Sequence, residues 1–266
     1  MTKQLGIIGG GVMGEALLSR LLSQQVYAPD AVCVGEPGGD RRDYLQQQYG
    51  IQVTADNREV VATADVLLLA VKPQVFAAVT GGLATGNTSQ LIVSILAGTT
   101  LSQLEAAFPG QPVVRAMPNT PATVGAGMTA IAPGTHTQAQ HLEVAQQLFA
   151  AVGDVVEVPE YLLDAVTGLS GSGPGFVALV VEALADGGVA AGLPRAIAQR
   201  LALQTVRGTA ELLQSSGLHP AELKDRVTSP GGTTIAGIAA LEQAGLRHAL
   251  IEAVRTACRR SKELGQ

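Results

Sequence analysis

The segment with the clearest chemical meaning is Gly9-Gly10-Gly11-Val12-Met13-Gly14, which fits the pattern G-x-G-x-x-G. It follows an apolar segment that predicts a strand, Leu5–Ile8, and it opens a segment with helical spacing. In this context the first glycine permits a tight turn, the second lets the backbone approach a pyrophosphate, and the last lets helix pack on strand. The helix N-terminus then offers N–H donors to phosphate. The motif therefore predicts a dinucleotide site, the alternative being a plain glycine turn.

The residues after the second predicted strand, Ala31–Val34, leave the cofactor preference open. Glu36 stands where an acid binds the adenosine ribose hydroxyls and favours NAD over NADP. Arg41 and Arg42 follow within reach of a 2′-phosphate, which argues for NADP unless they are simply a solvated first helical turn. NADPH and NADH thus both remain candidate cofactors.

Three more turns follow predicted strands, at Ala70-Val71-Lys72-Pro73, Ser94–Gly98 and Arg115–Pro121. Ligands of parallel sheets bind at the carboxyl ends of the strands, so we expect these turns to flank the nicotinamide half of the cofactor. Lys72 is either a cofactor contact or merely solvated. Asn119 is expected to hold the nicotinamide carboxamide, unless it only completes a turn stiffened by its neighbouring prolines.

Two glycine-rich segments in the second half each precede a predicted helix, at Gly168–Pro174 and at Ser229-Pro230-Gly231-Gly232-Thr233-Thr234. Glycine before a helix, with Ser or Thr at the cap, exposes several N–H groups to an anion. The second segment is interpreted as a cradle for a small carboxylate. The alternative is ordinary capping by Thr233, which requires neither Gly231 nor Gly232.

General acids and bases are scarce around these segments. None of the four histidines and no lysine falls within the two glycine-rich segments of the second half. Reduction of a ketone usually requires such a group as general acid. A substrate that is already electrophilic, such as a protonated cyclic imine, therefore fits better. His219 is interpreted as a helix-start residue, and Asp164, Glu182 and Asp186 as a solvated or interface face. The two cysteines are far apart and lack metal-ligand spacing, so we expect no metal site and a reducing cytosol.

The chain has two halves that differ in the periodicity of their apolar residues, and these halves must position the residues named above. The fold class expected is an α/β N-terminal Rossmann-type domain with a mostly parallel sheet, residues 1–160, followed by an all-α C-terminal domain for substrate binding and dimerisation, residues 161–266. The predicted strands after the first two are Val66–Val71, Leu91–Ile95, Val113–Met117, Met128–Ala132 and Val155–Val158. The predicted helices of the second half are Gly175–Ala191, a helix from Pro194 to Ser215, a short one at Pro220, Thr233–Ala244 and Leu246–Leu264.

Composition narrows the class of protein. With 47% hydrophobic residues and a net charge of −5, the chain has too much apolar content for disorder and too little basic charge for nucleic-acid binding. The mean hydropathy of +0.28 indicates apolar surface that the chain's own fold does not cover. The longest apolar run, Phe176–Val181, stops at Glu182, so self-association is expected rather than a membrane span, in a cytoplasmic protein.

Over essentially its whole length the sequence resembles pyrroline-5-carboxylate reductase. The resemblance rests on the N-terminal glycine motif, Ala70–Pro73, Met117–Pro121, Gly168–Pro174, and the distinctive block from Leu223-Lys224-Asp225 to Thr234. It implies NAD(P)H-dependent reduction of 1-pyrroline-5-carboxylate to L-proline, the last step of proline biosynthesis, by hydride transfer to C5 of the protonated imine. It also implies a homodimer with interlocked helical domains, which can build a larger ring of dimers, and a site between one cofactor domain and the partner's helical domain.

The resemblance also implies site residues. The implied substrate-carboxylate site is Ser229, Gly231, Gly232, Thr233 and Thr234, with the Thr234 hydroxyl near the ring nitrogen as the catalytic group. The implied cofactor contacts, in addition to Asn119 above, are Ile8, Gly9, Gly10, Gly11, Val12, Met13, Glu36, Asn57, Ala70, Val71, Lys72, Pro73, Ile95, Leu96 and Ala97. The chain departs from the family pattern at Gly175-Phe176, where Ala-Tyr is common, and at Glu36, where many relatives have a small residue.

Two other functions fit part of the sequence. A 3-hydroxyacid dehydrogenase has a similar layout but uses a lysine early in the first long helix of its second domain, and Gly168–Gly192 contains none. A non-catalytic dinucleotide sensor that dimerises through its helices explains the first half but gives no reason for Ser229–Thr234.

Overall fold

The first part of the chain is built on a sheet that is almost entirely parallel. A computed structural model describes residues 4–83 and 88–265, and within them eight strands form one sheet in the order β3-β2-β1-β4-β5-β6-β7-β8. Neighbours are parallel except for the antiparallel pair β6–β7, which confirms the predicted Rossmann-type sheet. The strands are β1 (Leu5–Ile8), β2 (Val32–Gly35), β3 (Gln52–Thr54), β4 (Val66–Leu69), β5 (Leu91–Ser94), β6 (Val113–Met117), β7 (Gly127–Pro133) and β8 (Gly153–Glu157).

Helices cover both faces of this sheet because its strands are apolar on both faces. On β4, Leu68 packs in one core, whereas Leu67 and Leu69 pack in the other, since successive side chains of a strand point to opposite sides. The first core holds Ile7 and Phe149, and the second holds Phe108. The helices that follow the strands are α1 (Val12–Ser23), α2 (Gly39–Tyr49), α3 (Asn57–Thr63), α4 (Phe76–Thr80), α5 (Leu101–Ala107) and α6 (Ala139–Ala150).

The structure differs from the sequence prediction in strand length and in one strand. β4 and β5 end at Leu69 and Ser94, earlier than predicted, because the chain there leaves the sheet to form the turns at its carboxyl edge. β3 was missed altogether. It has three residues and lies at the sheet's edge, where Gln52 is exposed, so it gives almost no apolar periodicity.

Between the last strand and the second half the chain is helical. Helix α7 (Leu163–Val166) runs directly into a π-helical turn, Thr167–Gly171, in which the N–H of Ser172 donates to the carbonyl oxygen of Thr167 at 2.8 Å. The expectation that Gly168–Pro174 is an open glycine segment ahead of a helix is therefore wrong. A π-helical turn uses its N–H groups within the main chain, so they are not offered to an anion.

By its contacts the chain divides into two units, Met1–Ser172 together with Thr256–Gln266, and Gly173–Arg255. The sequence placed a boundary at residue 160, where the strands end. The contact division falls later because Leu163 is buried in a core of the sheet. The second unit is helical, as the sequence predicts, with α8 (Gly173–Ala190), α9 (Arg195–Ser216), α10 (Pro220–Arg226), α11 (Thr233–Gln243) and the first part of α12 (Leu246–Leu264).

The second unit has almost no core of its own. Helices α8 and α9 pack through Ala185, Ala198 and Ala202, the buried residues of this unit in the described part of the chain. Large apolar side chains stay exposed along its helices, with Leu179 at 65% and Leu203 at 60%. Three buried alanines are a small core for more than eighty ordered residues, so these exposed helix faces suit a partner surface.

One helical stretch, Glu160–Ala190, is long and apolar enough to cross a membrane by length and composition, and only 6% of its apolar 18-residue segment is buried. The sequence analysis, in which the longest apolar run ends at Glu182, did not predict a helical stretch of this length and composition. A single such helix is weak evidence for a membrane span, because a helix that packs on another protein surface can have the same length and composition.

Candidate active site

The turns at the carboxyl edge of the sheet lie side by side, and most of the predicted cofactor residues are on them. The N–H of Gly9 donates to the carbonyl oxygen of Gly35 at 2.9 Å, which joins the turn after β1 to the end of β2. The N–H of Ala70 donates to the carbonyl oxygen of Ile8 at 2.9 Å, and that of Ile95 to Leu69 at 3.1 Å. The structure therefore brings the turns after β1, β2, β4 and β5 to one edge, where parallel sheets bind ligands.

The glycine motif forms a tight turn that ends at an open helix N-terminus. Gly9 has φ +108°, and a Cβ there would lie 2.7 Å from the carbonyl oxygen of Ala70, so the turn requires glycine. A Cβ at Gly14 would collide with the carbonyl oxygen of Gly9. Gly11 caps α1 without a side-chain hydrogen bond and faces open space, and Val12 is 77% exposed. This arrangement, in which uncapped N–H groups of a twelve-residue helix face outward, fits a pyrophosphate.

Glu36 is fixed against this turn rather than extended into solvent. Its Oε2 accepts the N–H of Gly10 at 3.1 Å, and its Oε1 accepts the N–H of Gly38 at 3.0 Å. The side chain thus bridges the glycine turn and the start of α2 at the position where an acid contacts the adenosine ribose. Asn57 lies close by, since a Cβ on Gly35 would collide with its Oδ1.

The two arginines after β2 have protein partners. Nε of Arg41 donates to the carbonyl oxygen of Gly10 at 2.7 Å, and its Nη2 donates to Glu15. Nη1 of Arg42 donates to the carbonyl oxygens of Glu36 at 2.8 Å and Pro37 at 2.7 Å. Neither guanidinium is merely solvated, so the structure replaces that alternative with a role in holding the main chain.

Glu15 is a residue that the sequence reasoning missed. Its carboxylate accepts the hydroxyls of Tyr44 at 3.0 Å and Tyr49 at 2.8 Å as well as the Arg41 guanidinium. Burial alone raises its pKa, but the hydrogen bonds from Arg41, Tyr49 and Tyr44 outweigh it and hold the pKa of Glu15 below its usual value. Burial and the Glu15 hydrogen bond together raise the pKa of Tyr49 above its usual range. The signal available in the sequence was an acid in the first turn of α1.

The side-chain amide of Asn119 has protein partners that its predicted cofactor role did not include. Its Nδ2 donates to the carbonyl oxygen of Ser170 at 3.0 Å, and its Oδ1 accepts the N–H of Met128 at 2.8 Å. Both ends of the amide thus tie the end of β6 to β7 and to the π-helical turn. This supports the alternative in which the side chain organises the turn, and the carboxamide contact stays a prediction.

A groove of about 370 Å³ adjoins the turns after β4 and β5. It is lined by Pro73, Phe76 and Ala97 and by the chain's last described residues, Leu264 and Gly265. Gly265 lies against Gly98, and Ser261 on the same helix donates to Asp164 at 2.6 Å. The end of α12 is therefore part of this edge of the sheet, a long-range contact for which the sequence holds no local signal. Lys72 is exposed beside it, a position open both to solvent and to a cofactor, so its cofactor contact stays a prediction.

The predicted carboxylate cradle lies in the other unit, at the start of α11. Gly231 has φ +66°, a conformation that favours glycine, and a Cβ on Gly232 would displace the Oγ of Ser229. Gly232, not Thr233, caps the helix, and it does so without a side-chain hydrogen bond, which removes the capping alternative. In the described part of the chain the hydroxyls of Ser229, Thr233 and Thr234 have no hydrogen-bond partner. The segment thus combines free hydroxyls with free N–H groups, a donor set suited to a carboxylate.

Two of the remaining acid–base candidates, His219 and Asp186, have other partners. Nδ1 of His219 accepts the N–H of Ala221 at 3.2 Å and caps α10, as its interpretation as a helix-start residue predicts. Asp186 forms an ion pair with Arg195 on the surface. Among the described residues no group of three His, Cys, Asp or Glu side chains could hold a metal ion.

Comparison with known proteins identifies the family. Residues 160–264 match the family model described as pyrroline-5-carboxylate reductase dimerisation, and residues 4–98 match one described as NADP oxidoreductase, coenzyme F420-dependent. The chain is 62% identical to the pyrroline-5-carboxylate reductase of Synechocystis sp., over 100% of both chains. The chain belongs to the pyrroline-5-carboxylate reductase family. It is also 38% identical to the Escherichia coli member, again over 100% of both.

Solved structures of this family have the same fold. A pyrroline-5-carboxylate reductase from Coxiella burnetii superposes with a TM-score of 0.95 at 34% identity, covering 100% of both chains. The Plasmodium falciparum enzyme, solved with NADP bound, superposes with a TM-score of 0.89 at 29% identity over 99% of this chain and 98% of that one. The predicted family, fold class and enzyme class are therefore confirmed.

Proposed function

We infer that this protein is an oxidoreductase that reduces 1-pyrroline-5-carboxylate to L-proline with NADPH or NADH, the last step of proline biosynthesis. One observation carries the conclusion, which is full-length identity of 62% to a pyrroline-5-carboxylate reductase. The glycine turn after β1 and the uncapped turn before α11 add the two binding sites that such a reaction needs. The substrate is a five-membered cyclic imine that bears a carboxylate, so it requires an anion site and a nearby donor.

The amino-terminal unit holds the cofactor. The open N-terminus of α1 binds the pyrophosphate, Glu36 meets the adenosine ribose, and the turns after β4 and β5 flank the nicotinamide half. When bound, the reduced nicotinamide supplies the hydride that saturates the C5=N bond. The remaining predicted contacts, Asn57, Ala70–Pro73, Ile95–Ala97 and Asn119, lie on the same edge of the sheet and form part of this proposal.

The turn before α11 holds the substrate. Ser229 and the free N–H groups from Thr233 onward bind the carboxylate, which fixes the face of the ring that is presented. The Thr234 hydroxyl lies on the same helical turn and hydrogen-bonds the ring nitrogen, which must be protonated for C5 to be electron-poor. Holding two reactants in register can contribute roughly 7–11 kcal/mol to the barrier reduction, so such a site needs no strong general acid.

The exposed apolar faces of the second unit pair with those of a second copy. We propose a homodimer in which residues 161–266 form the dimerisation and substrate domain and residues 1–160 the cofactor domain, with the active site completed across the two chains. A ring of dimers, a cytoplasmic location and the absence of a membrane contact belong to the same proposal. The apolar stretch Glu160–Ala190 is then covered by protein rather than by lipid.

The proposal is tested by following nicotinamide absorbance with purified protein and 1-pyrroline-5-carboxylate, with product identification as L-proline. We expect cofactor oxidation that requires the imine and yields proline in equal amount. A 3-hydroxyacid dehydrogenase would instead oxidise a hydroxy acid, and a sensor would bind cofactor without turnover. Absence of proline formation with either cofactor would refute the proposed function.

A further inference from the structure

We propose that the end of α12, residues 261–265, positions the turn after β5 for the nicotinamide half of the cofactor, and that Ser261 is the positioning residue. This role rests on the proposed function, since that function makes the turn, Ile95–Thr99, part of the nicotinamide site. Ser261 itself contacts neither cofactor nor substrate in this proposal. It acts through the main chain that it anchors.

Ser261 is a polar residue at a buried position. It is 8% exposed, and in Leu246–Leu264, all of which the structure describes, it is the residue that is buried. Its Oγ donates to Oδ1 of Asp164 at 2.6 Å. The sequence analysis expected Asp164 on a solvated or interface face, whereas the structure gives this half-buried carboxylate a protein partner. Since a buried hydroxyl without a partner is costly, this hydrogen bond fixes where the helix end docks.

Asp164 is a firm anchor because the segment around it is fixed to the sheet. Its neighbour Leu163 is 1% exposed and packs in the second core. Just before it, Oε1 of Glu160 accepts the N–H of Leu101 at 2.6 Å and Nη1 of Arg115 at 2.9 Å. Leu101 is the first residue of α5, which begins directly after the turn that follows β5. One segment therefore holds both the start of α5 and the end of α12.

The main chain at the end of α12 lies against the main chain of the turn after β5. Gly98 has φ +77°, and a Cβ there would lie 3.4 Å from the carbonyl oxygen of Leu264. A Cβ on Gly265 would lie 3.2 Å from the carbonyl oxygen of Gly98, so a side chain would crowd this contact. The N–H of Gly265 donates to the carbonyl oxygen of Ser261 at 3.2 Å. The anchored residue and the residue that touches the turn thus belong to one helix end.

The turn after β5 depends on this contact because it has few hydrogen bonds of its own. The N–H of Ile95 donates to Leu69, and the N–H of Leu96 donates to Oγ of Ser94 at 3.3 Å. Over the next three residues, 97–99, the described part of the chain shows no hydrogen bond to the main chain. Ala97 is exposed there, and it is a predicted cofactor contact. Packing against the helix end is therefore what holds this part of the turn.

Loss of the Ser261 hydrogen bond should loosen the helix end and, with it, the turn. Part of the binding free energy of the nicotinamide half is then used to order the turn, so the whole cofactor binds more weakly. The adenosine half is held elsewhere, at the turns after β1 and β2, which the Gly9–Gly35 hydrogen bond joins. The loss should therefore be confined to ligands that carry nicotinamide.

The test is calorimetric titration without imine, using NADP+ and NAD+ and the two fragments that lack only the nicotinamide, 2′-phospho-ADP-ribose and ADP-ribose. Ser261→Ala should raise the Kd for the dinucleotides about threefold to tenfold and leave the Kd for the fragments unchanged. Asp164→Ala should give the same pattern, and the double variant should be no worse than either single one, since both remove one interaction. Asp164→Asn keeps an acceptor oxygen and should bind like the wild type.

The matched control is Thr256→Ala, which removes a hydroxyl from an exposed position of the same helix and should change neither Kd. Two results would overturn the inference. One is a Ser261→Ala variant that binds the dinucleotides as Thr256→Ala does. The other is an equal loss for the fragments, which would show a general loosening of the unit. Since no imine is present, a protein that binds as expected but forms no proline would refute the proposed reaction and leave the role of Ser261 standing.

Discussion

Replacing Glu15 by Gln should both destabilise the amino-terminal unit and weaken cofactor binding. The wild-type carboxylate accepts hydrogen bonds from Arg41, Tyr44 and Tyr49. An amide keeps one acceptor oxygen but turns its NH₂ group toward a donor and leaves the Arg41 charge unbalanced. Hydrogen bonds to charged groups contribute about 1.5–3 kcal/mol each, and since one acceptor is retained and the site is partly exposed, we expect a loss of about 2 kcal/mol in the free energy of unfolding.

The measurement is thermal unfolding at fixed protein concentration, followed by cofactor titration. For a unit of this size, a loss of about 2 kcal/mol lowers Tm by about 4–8 °C. Arg41 also holds the carbonyl oxygen of Gly10, so a loosened Arg41 should raise the Kd for NAD+ about threefold to tenfold. Glu59→Gln is the matched control, an acid in the first turn of another helix whose side chain is exposed.

The stability difference should also depend on pH. Since the pKa of Glu15 in the folded protein lies below its value of 4.5 in the unfolded chain, its contribution is present in full above about pH 4.5. That contribution is lost as the pH falls through the folded pKa, so the Tm of the wild type should approach that of Glu15→Gln on acidification. The reasoning is refuted if Glu15→Gln and Glu59→Gln have the same Tm at pH 7, or if the difference persists unchanged in acid.

Three further predictions concern the helical unit. Thr234→Ala should lower kcat/KM for the imine about tenfold to hundredfold, because it removes one hydrogen bond to a charged nitrogen, and it should leave the Kd for the cofactor unchanged. Thr234→Ser keeps the hydroxyl and should retain activity. An unaltered kcat/KM for the alanine variant would exclude this role for Thr234. Gly231→Ala forces an L-residue into φ +66° at a cost of about 1–2 kcal/mol, so it should raise KM for the imine. The control Gly237→Ala lies in the open interior of α11 and should leave KM unchanged. Equal KM values for the two variants would show that the turn does not bind substrate. Leu203→Asp places a charge on an exposed apolar face of α9, so sedimentation should show monomers. Gln204→Asp adds the same charge at a polar position and is the control. A Leu203→Asp variant that remains dimeric would exclude this face from the interface.

Elements whose signal is local could be predicted from the amino-acid sequence. The apolar run Leu5–Ile8 followed by the glycine motif specified strand, turn and helix, because each depends on residues within a few positions of one another. The glycine turn at Ser229–Thr234 was also predicted from local signal, but the sequence left capping by Thr233 open, and the structure decided that Gly232 caps the helix. The same local reasoning failed at Gly168–Pro174, where glycines that suggest a loop lie in a π-helical turn and the start of α8.

The partner that each polar side chain takes depends on how the elements pack together. Arg41 could have faced solvent, a phosphate or the main chain, and its contact with Glu15, 26 residues away in sequence, exists only once α1 and α2 are both placed on the sheet. Asn119 is a similar case, since its partner Ser170 is 51 positions away. So is Ser261 near the end of α12, whose partner Asp164 is 97 positions away. Periodicity records which face of an element is apolar, but a hydrogen bond depends on distances between elements, and those are set by how the helices pack on the sheet.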